Sequence, residues 1–153
     1  MKIIVISGAH KGVGKTALTC RILKGLKGYG VIKTTVSKEN ISVTSKNEAI
    51  EVPGKDTAVL KEAGAEKVVL VSSPRKDLDW ALKVALDMVS GCKGVIIEGT
   101  SVLDYIKSDV AIMIKAKGEE IKPSARRALK KVDLVISSAE FDKAVKFVKE
   151  KIK

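Results

Sequence analysis

The sequence predicts an α/β fold in which a mostly parallel sheet carries helices on both faces. Three observations predict it. Short apolar segments alternate with helix-patterned ones along the whole chain. The strand segments are apolar throughout rather than half polar, as strands covered on both faces are. A glycine-rich turn, residues 8–14, joins the first strand to the first helix.

The elements follow in order. Residues 2–7 (Lys-Ile-Ile-Val-Ile-Ser) read as a buried strand. Residues 15–27 read as a helix with Leu18, Ile22 and Leu26 on one face, ended by Gly28 and Gly30. A short strand is expected over 30–34. Ile41/Val43 and Ile50/Val52 flank a polar turn, which predicts a hairpin excursion near 37–52. After Pro53-Gly54, a helix runs from Asp56 to Gly64 and a strand over 67–72. Leu78, Ala81, Leu82, Ala85 and Val89 mark a helix that stops at Gly91. Strands follow at 94–98 and 109–114, a helix from Pro123 to about Lys131, and a strand at 132–136. Ser137 and Glu140 have capping-box spacing before a last helix with Phe141, Ala144, Val145, Val148 and Ile152 on one face.

The 153 residues suit one domain over 1–153. Apolar residues are 45% and charged residues 31% of the chain, the balance of a folded globular protein. No stretch approaches the ~18 consecutive apolar residues of a membrane span. Met1-Lys2 leads directly into a strand, so no secretory signal is expected and the cytoplasm is the expected location. Two separated cysteines, Cys20 and Cys92, and one histidine, His10, do not suit a zinc site. The net charge is +11, from 29 Lys+Arg against 18 Asp+Glu. Lys and Glu are abundant while amides are scarce, which fits heat adaptation. Five aromatics without basic interleaving give poor support to a base-stacking nucleic-acid surface. An anionic small-molecule partner suits the charge.

The turn after the first strand reads Gly8-Ala-His-Lys-Gly-Val-Gly-Lys-Thr16. Ala9 through Thr16 meets the permissive Walker A pattern, and the strand before and helix after it are the context that pattern needs. Gly12 and Gly14 let the backbone wrap phosphate oxygens, and the helix start adds unpaired N–H groups. Lys15 is placed to reach the β- and γ-phosphates and Thr16 to offer its hydroxyl to Mg²⁺. The expected nucleotide-binding stretch is thus Ala9, His10, Lys11, Gly12, Val13, Gly14, Lys15, Thr16 and Ala17. His10 and Lys11 read equally as solvated loop side chains. The fold expectation sharpens to a three-layer P-loop NTPase fold.

A phosphate-binding loop needs a carboxylate on the metal side. Glu98 ends an apolar strand before Gly99, at the sheet edge where such folds bind ligands. It would hold Mg²⁺ or orient water; the plain alternative is a helix-capping acid. Asp56, at a helix start, is the second candidate for a metal- or water-side role. Asp104, Asp109, Asp77 and Asp79 read as structural. No Asn-Lys-x-Asp motif is present, so local chemistry leaves GTP and ATP open.

The chain resembles the molybdopterin-guanine dinucleotide biosynthesis protein B (MobB) family. The likeness rests on the first strand and Gly-Lys-Thr loop, Val31-Ile-Lys-Thr34, Pro53-Gly-Lys-Asp-Thr57 with Glu62-Ala-Gly-Ala65, Val68-Val-Leu-Val-Ser72 and Val95-Ile-Ile-Glu-Gly99. The family carries Lys-His-x-His after its second strand, where this chain has Lys33-Thr34-Thr35. The resemblance implies a GTP-binding protein with weak Mg²⁺-dependent GTPase activity, often a homodimer, that assists molybdenum-cofactor biosynthesis. Molybdopterin and a cofactor-biosynthesis protein are the partners it implies. It implies catalytic-site roles for Lys15, Asp56 and Glu98. Two other readings stand beside it. One is a P-loop ATPase or small-molecule kinase, for which Arg126 and Arg127 are the only adjacent arginines. The other is a non-hydrolysing, nucleotide-gated adapter whose partner reads the 37–52 segment.

Overall fold

The computed structural model describes residues 1–45, 56–118 and 120–153. Its strands are β1 (Lys2–Gly8), β2 (Tyr29–Val36), β3 (Ser42–Thr44), β4 (Val68–Ser73), β5 (Gly94–Glu98), β6 (Val110–Ile114) and β7 (Leu134–Ile136). They form one seven-stranded sheet in the order β3-β4-β2-β5-β1-β6-β7. Every pairing is parallel except that of β3 with β4. The helices are α1 (Lys15–Leu23), α2 (Asp56–Glu62), α3 (Leu78–Met88), α4 (Pro123–Leu129) and α5 (Phe141–Lys151).

The continuous apolar strands have a physical cause in the two covered faces. Successive side chains point to opposite sides, so each strand feeds two cores. Ile4 and Ile6 of β1, Ile96 of β5 and Ile112 of β6 pack with Leu18 and Ile22 of α1, Leu60 of α2, and Ala144 and Val148 of α5. Val5, Val95, Ile97, Ala111 and Met113, the residues between them, pack with Leu78, Ala81, Leu82 and Ala85 of α3 and with Ala125 and Ala128 of α4. Each large side chain removed from water this way contributes roughly 1.5–3 kcal/mol. Two aspartates close the far edge of the sheet. Asp109 Oδ2 accepts from the Ile3 amide at 2.8 Å, and Asp133 Oδ2 from the Ala111 amide at 2.8 Å. Each carboxylate extends a strand ladder by one bond.

Some boundaries differ from expectation. The first helix ends at Leu23 rather than residue 27, and its last carbonyls turn inward to Gly25 and Leu26 at 3.1 Å. Strand β2 starts at Tyr29 and runs to Val36, longer than expected, because β4 partners it as far as Ser73. The segment expected as the first hairpin arm does form a strand. It joins the sheet edge, with Val43 opposite Val71 of β4 and packed on the α3 side. Alternation marks which face of a strand is apolar, not which edge it will pair with. The expected second arm, 50–52, lies outside the described residues, as do Pro53-Gly-Lys55.

Candidate phosphate-binding site

All the parallel strands end at one edge, and β1 lies inside the sheet there, between β5 and β6. The chain leaves β1 at Gly8, which is held on both sides by one side chain. Thr100 Oγ1 accepts from the Gly8 amide at 3.1 Å and donates to the Gly8 carbonyl at 2.8 Å. Gly12 and Gly14 have φ of 72° and 101°, a region L-residues with a Cβ rarely adopt. Gly14 is the N-cap of α1, so no side chain caps that helix, and its first turn has no acidic residue. The amides at this helix start therefore face the loop with their positive dipole end uncompensated.

Residues Lys11, Gly12, Val13, Gly14, Lys15, Thr16 and Ala17 line a cleft of about 600 Å³, closed on its other side by Lys33, Thr34, Thr35 and Glu98. A second cleft, of about 720 Å³, shares the Lys11–Gly14 wall. It extends to Ile114–Lys117, Ser137–Ala139 and Phe141. Both are of small-molecule size. Ala9 is buried, and its amide donates to the Ile114 carbonyl at 2.9 Å. Its N–H therefore continues the sheet instead of facing the cleft, and neither Ala9 nor the half-buried His10 is among the cleft walls.

Glu98 reaches the loop because β5 neighbours β1, with Ile6 beside Glu98 in register. Its side chain is 1% exposed, and Oε1 accepts from the Thr16 hydroxyl at 2.8 Å. Oε2 is buried with no hydrogen-bond partner among the described residues. Burial pushes the carboxyl above its ordinary range, against the opposing pull of the Thr16 hydroxyl, the Lys33 ammonium, the Thr19 hydroxyl and the Lys15 ammonium. Lys15 is shifted the other way. Burial lowers it first and repulsion from Lys122 next, while Glu98 raises it. A half-satisfied carboxylate beside a hydroxyl at a phosphate loop is a donor set that fits Mg²⁺, an oxygen-seeking ion. Thr16 and Glu98 are the residues able to hold it.

Gly99 makes this strand end possible. It has φ of 153°, and an added Cβ would overlap Thr34 Oγ1 and lie 3.0 Å from Val102 Cγ2. Thr34 needs that space, because its hydroxyl donates to the Glu98 carbonyl at 2.8 Å. Gly99→Ala is expected to destabilise the fold by about 2–4 kcal/mol through overpacking and backbone strain, read as a lower midpoint in urea unfolding.

The other candidates stand on other elements. Asp56 opens α2, which packs beside α1; the expected carboxylate contact lies outside the described residues. Asp104 pairs with Arg127 at 3.0 Å, so that arginine is turned to a surface acid. Ser137 and Glu140 form the expected capping box, leading into α5. The cleft also contains residues that sequence reasoning noted but did not assign to the site: Lys33, Thr34 and Thr35. Their signal was a polar run ending an apolar strand at the ligand-binding edge. Thr100 carried none.

A search of the curated proteins finds no match to the chain. Among solved structures, HypB from Helicobacter pylori in complex with nickel aligns over 97% of this chain and 86% of its own. The identity is 14% and the TM-score 0.47, too remote to bear on the chemistry. The family model of molybdopterin guanine dinucleotide synthesis protein B matches residues 3–125, from β1 through the first turn of α4. The chain, with its P-loop on a mostly parallel sheet, belongs to the MobB family.

Proposed function

We propose that the chain binds a nucleoside triphosphate with Mg²⁺, GTP first and ATP as the alternative. It hydrolyses that nucleotide slowly, as an accessory of molybdopterin guanine dinucleotide biosynthesis. One observation carries this reading: the Thr16 hydroxyl bonded to a buried, half-satisfied Glu98 carboxylate beside an uncapped helix start. A structural carboxylate would have both oxygens satisfied or exposed.

In this reading the loop amides from Gly12 to Thr16 and the Lys15 ammonium take the β- and γ-phosphates. The second cleft, between Lys115–Lys117 and Ser137–Ala139, takes the base. Thr16 and Glu98 hold Mg²⁺, with Asp56 as a further water- or metal-side residue. Mg²⁺, when bound, neutralises charge on the β- and γ-oxygens. Water attacks the γ-phosphorus in line, the bond from that phosphorus to the β–γ bridging oxygen breaks, and the nucleoside diphosphate leaves. Lys15 and the loop amides stabilise the charge that gathers on the bridging oxygen. The attacking water's proton passes to the departing phosphate and solvent.

Family membership supports molybdopterin, a cofactor-biosynthesis protein and a second copy of the chain as partners. Phosphate release on Mg²⁺ addition supports the hydrolase; tight binding with no turnover would move the reading to a nucleotide-gated adapter. Transfer to an added acceptor would move it to a kinase. The test is a thermal-shift panel of GTP, ATP, CTP and UTP with and without Mg²⁺. A bound triphosphate at about 100 times its Kd stabilises by roughly 2.7 kcal/mol, a shift of about 5–10 °C at this size. The shift is expected to need Mg²⁺ and to be largest for GTP. No shift with any triphosphate would overturn the reading.

A further inference from the structure

Thr100 precedes the short turn Ser101–Asp104, a place where a threonine ordinarily accepts from the turn's own amides. Here its side chain makes no cap bond. The residue is buried, and its hydroxyl gives both of its bonding functions to Gly8, accepting from the amide at 3.1 Å and donating to the carbonyl at 2.8 Å. The course of β5 explains why. The backbone ladder between β1 and β5 ends where the Gly99 amide donates to the Ile6 carbonyl at 3.0 Å. Gly99 then turns the chain away with its positive φ. The next β1 groups that face β5 are the amide and carbonyl of Gly8, and two open backbone groups at a buried strand end are costly. The Thr100 hydroxyl takes both. It thereby fixes the peptide planes on either side of a residue that has no Cβ to restrict it.

Gly8 is the floor of the phosphate loop. It is buried, and a Cβ there would lie 2.8 Å from Val13 Cγ2, 3.2 Å from the His10 carbonyl oxygen and 3.4 Å from Lys15 Cδ. The loop folds back on Gly8, and the stem of Lys15 lies across it. On the other side of β1 the Ala9 amide donates to the Ile114 carbonyl at 2.9 Å. The start of the loop is therefore gripped from β6 by backbone and from the β5 side by the Thr100 hydroxyl. Its far end is gripped by Glu98, which accepts from the Thr16 hydroxyl at 2.8 Å. Glu98 and Thr100, two positions apart, hold the two ends of one loop. A loop fixed at both ends has little freedom left to lose when a ligand orders it.

We infer that Thr100 is a positioning residue of the phosphate site. By holding both peptides at Gly8 it keeps the loop, and the Lys15 stem lying on it, in the polyphosphate-binding shape before any ligand arrives. The inference rests on the nucleotide reading above for the identity of that ligand.

The test compares the full wild-type chain with three variants. Thr100→Val keeps the shape and loses the hydroxyl, Thr100→Ser keeps the hydroxyl, and Leu82→Ala deletes core on α3, away from the loop. Binding of GTP and of inorganic tripolyphosphate, each with Mg²⁺, is measured by calorimetry at a temperature where melting curves show every variant folded. Thr100→Val is expected to weaken both ligands by about tenfold or more, and Thr100→Ser to stay within about threefold of wild type. Leu82→Ala is expected to melt lower yet bind as wild type does. Unchanged binding by Thr100→Val, or a loss that Thr100→Ser or Leu82→Ala shares, would make Thr100 a part of the fold alone and overturn the inference. Amide hydrogen exchange on the wild type needs no variant and decides by itself if Thr100→Val does not fold. Without ligand, the Gly8 amide is expected to be protected to the same order as that of Ile6. Rapid exchange slowed only by tripolyphosphate would show the loop forming on its ligand and also overturns the inference. If tripolyphosphate binds and needs Thr100 while GTP and ATP do not bind, the nucleotide reading falls and the inference stands. If none of them binds, both fall.

Discussion

Lys15→Ala is expected to remove the triphosphate-induced thermal shift while leaving the nucleotide-free protein as stable as wild type, or more so. The two effects have opposite signs for one reason. Without a ligand, the Lys15 ammonium is half withdrawn from water and repelled by Lys122 and Lys33, with only Glu98 in its favour. Its removal relieves that strain. With a triphosphate bound, the same ammonium faces oxygens that reward it, and loss of such charged hydrogen bonds weakens affinity by about tenfold to a hundredfold. Because Lys15 titrates lower when folded than when unfolded, its stability contribution is full only above the unfolded value. That contribution is lost as pH falls through the folded value. The variant should therefore show a flatter alkaline limb in a plot of melting temperature against pH. A variant that melts much lower than wild type without ligand, yet keeps the nucleotide shift, would show Lys15 to be a packing residue.

Glu98→Gln is the second large effect. In the free protein the Glu98 carboxyl is raised by burial, and one of its oxygens has no hydrogen-bond partner among the described residues. A carboxyl raised on folding contributes stability that is full below the unfolded value and is lost as pH climbs through the folded value. Wild-type protein should thus lose stability across that interval, on the alkaline side of the ordinary carboxylate range, and Glu98→Gln should not. On the alkaline side of that interval the variant is expected to melt higher than wild type. The amide oxygen can still accept the Thr16 bond. It cannot supply the charge that a divalent ion needs, so the part of the nucleotide shift that depends on Mg²⁺ should vanish while the Mg²⁺-independent part remains. Melting curves over pH 4–9, with nucleotide and with or without Mg²⁺, measure both signs in one experiment. Retention of the full Mg²⁺ dependence would mean that the ion is held elsewhere.

What could be read from the amino-acid order alone is what neighbouring residues settle among themselves. The run from Lys2 to Ala17 carries strand, turn and helix as one local unit, with Gly12 and Gly14 where positive φ is required. The Ser137–Glu140 capping box and the two-sided burial of the strands were equally legible, because each depends on residues a few positions apart. Strand order is different. Glu98 was visible as a strand-end acid, but that it meets Thr16, 82 positions earlier, follows from β5 lying beside β1. The same register brings Lys33 alongside Glu98, and Thr100 around Gly8, neither of which any spacing announces. Local propensity acts through short-range sterics and hydrogen bonds, so it marks each element in isolation. Which elements become neighbours is chosen by the joint burial of all their apolar faces, and the charges of the site meet as a consequence of that packing.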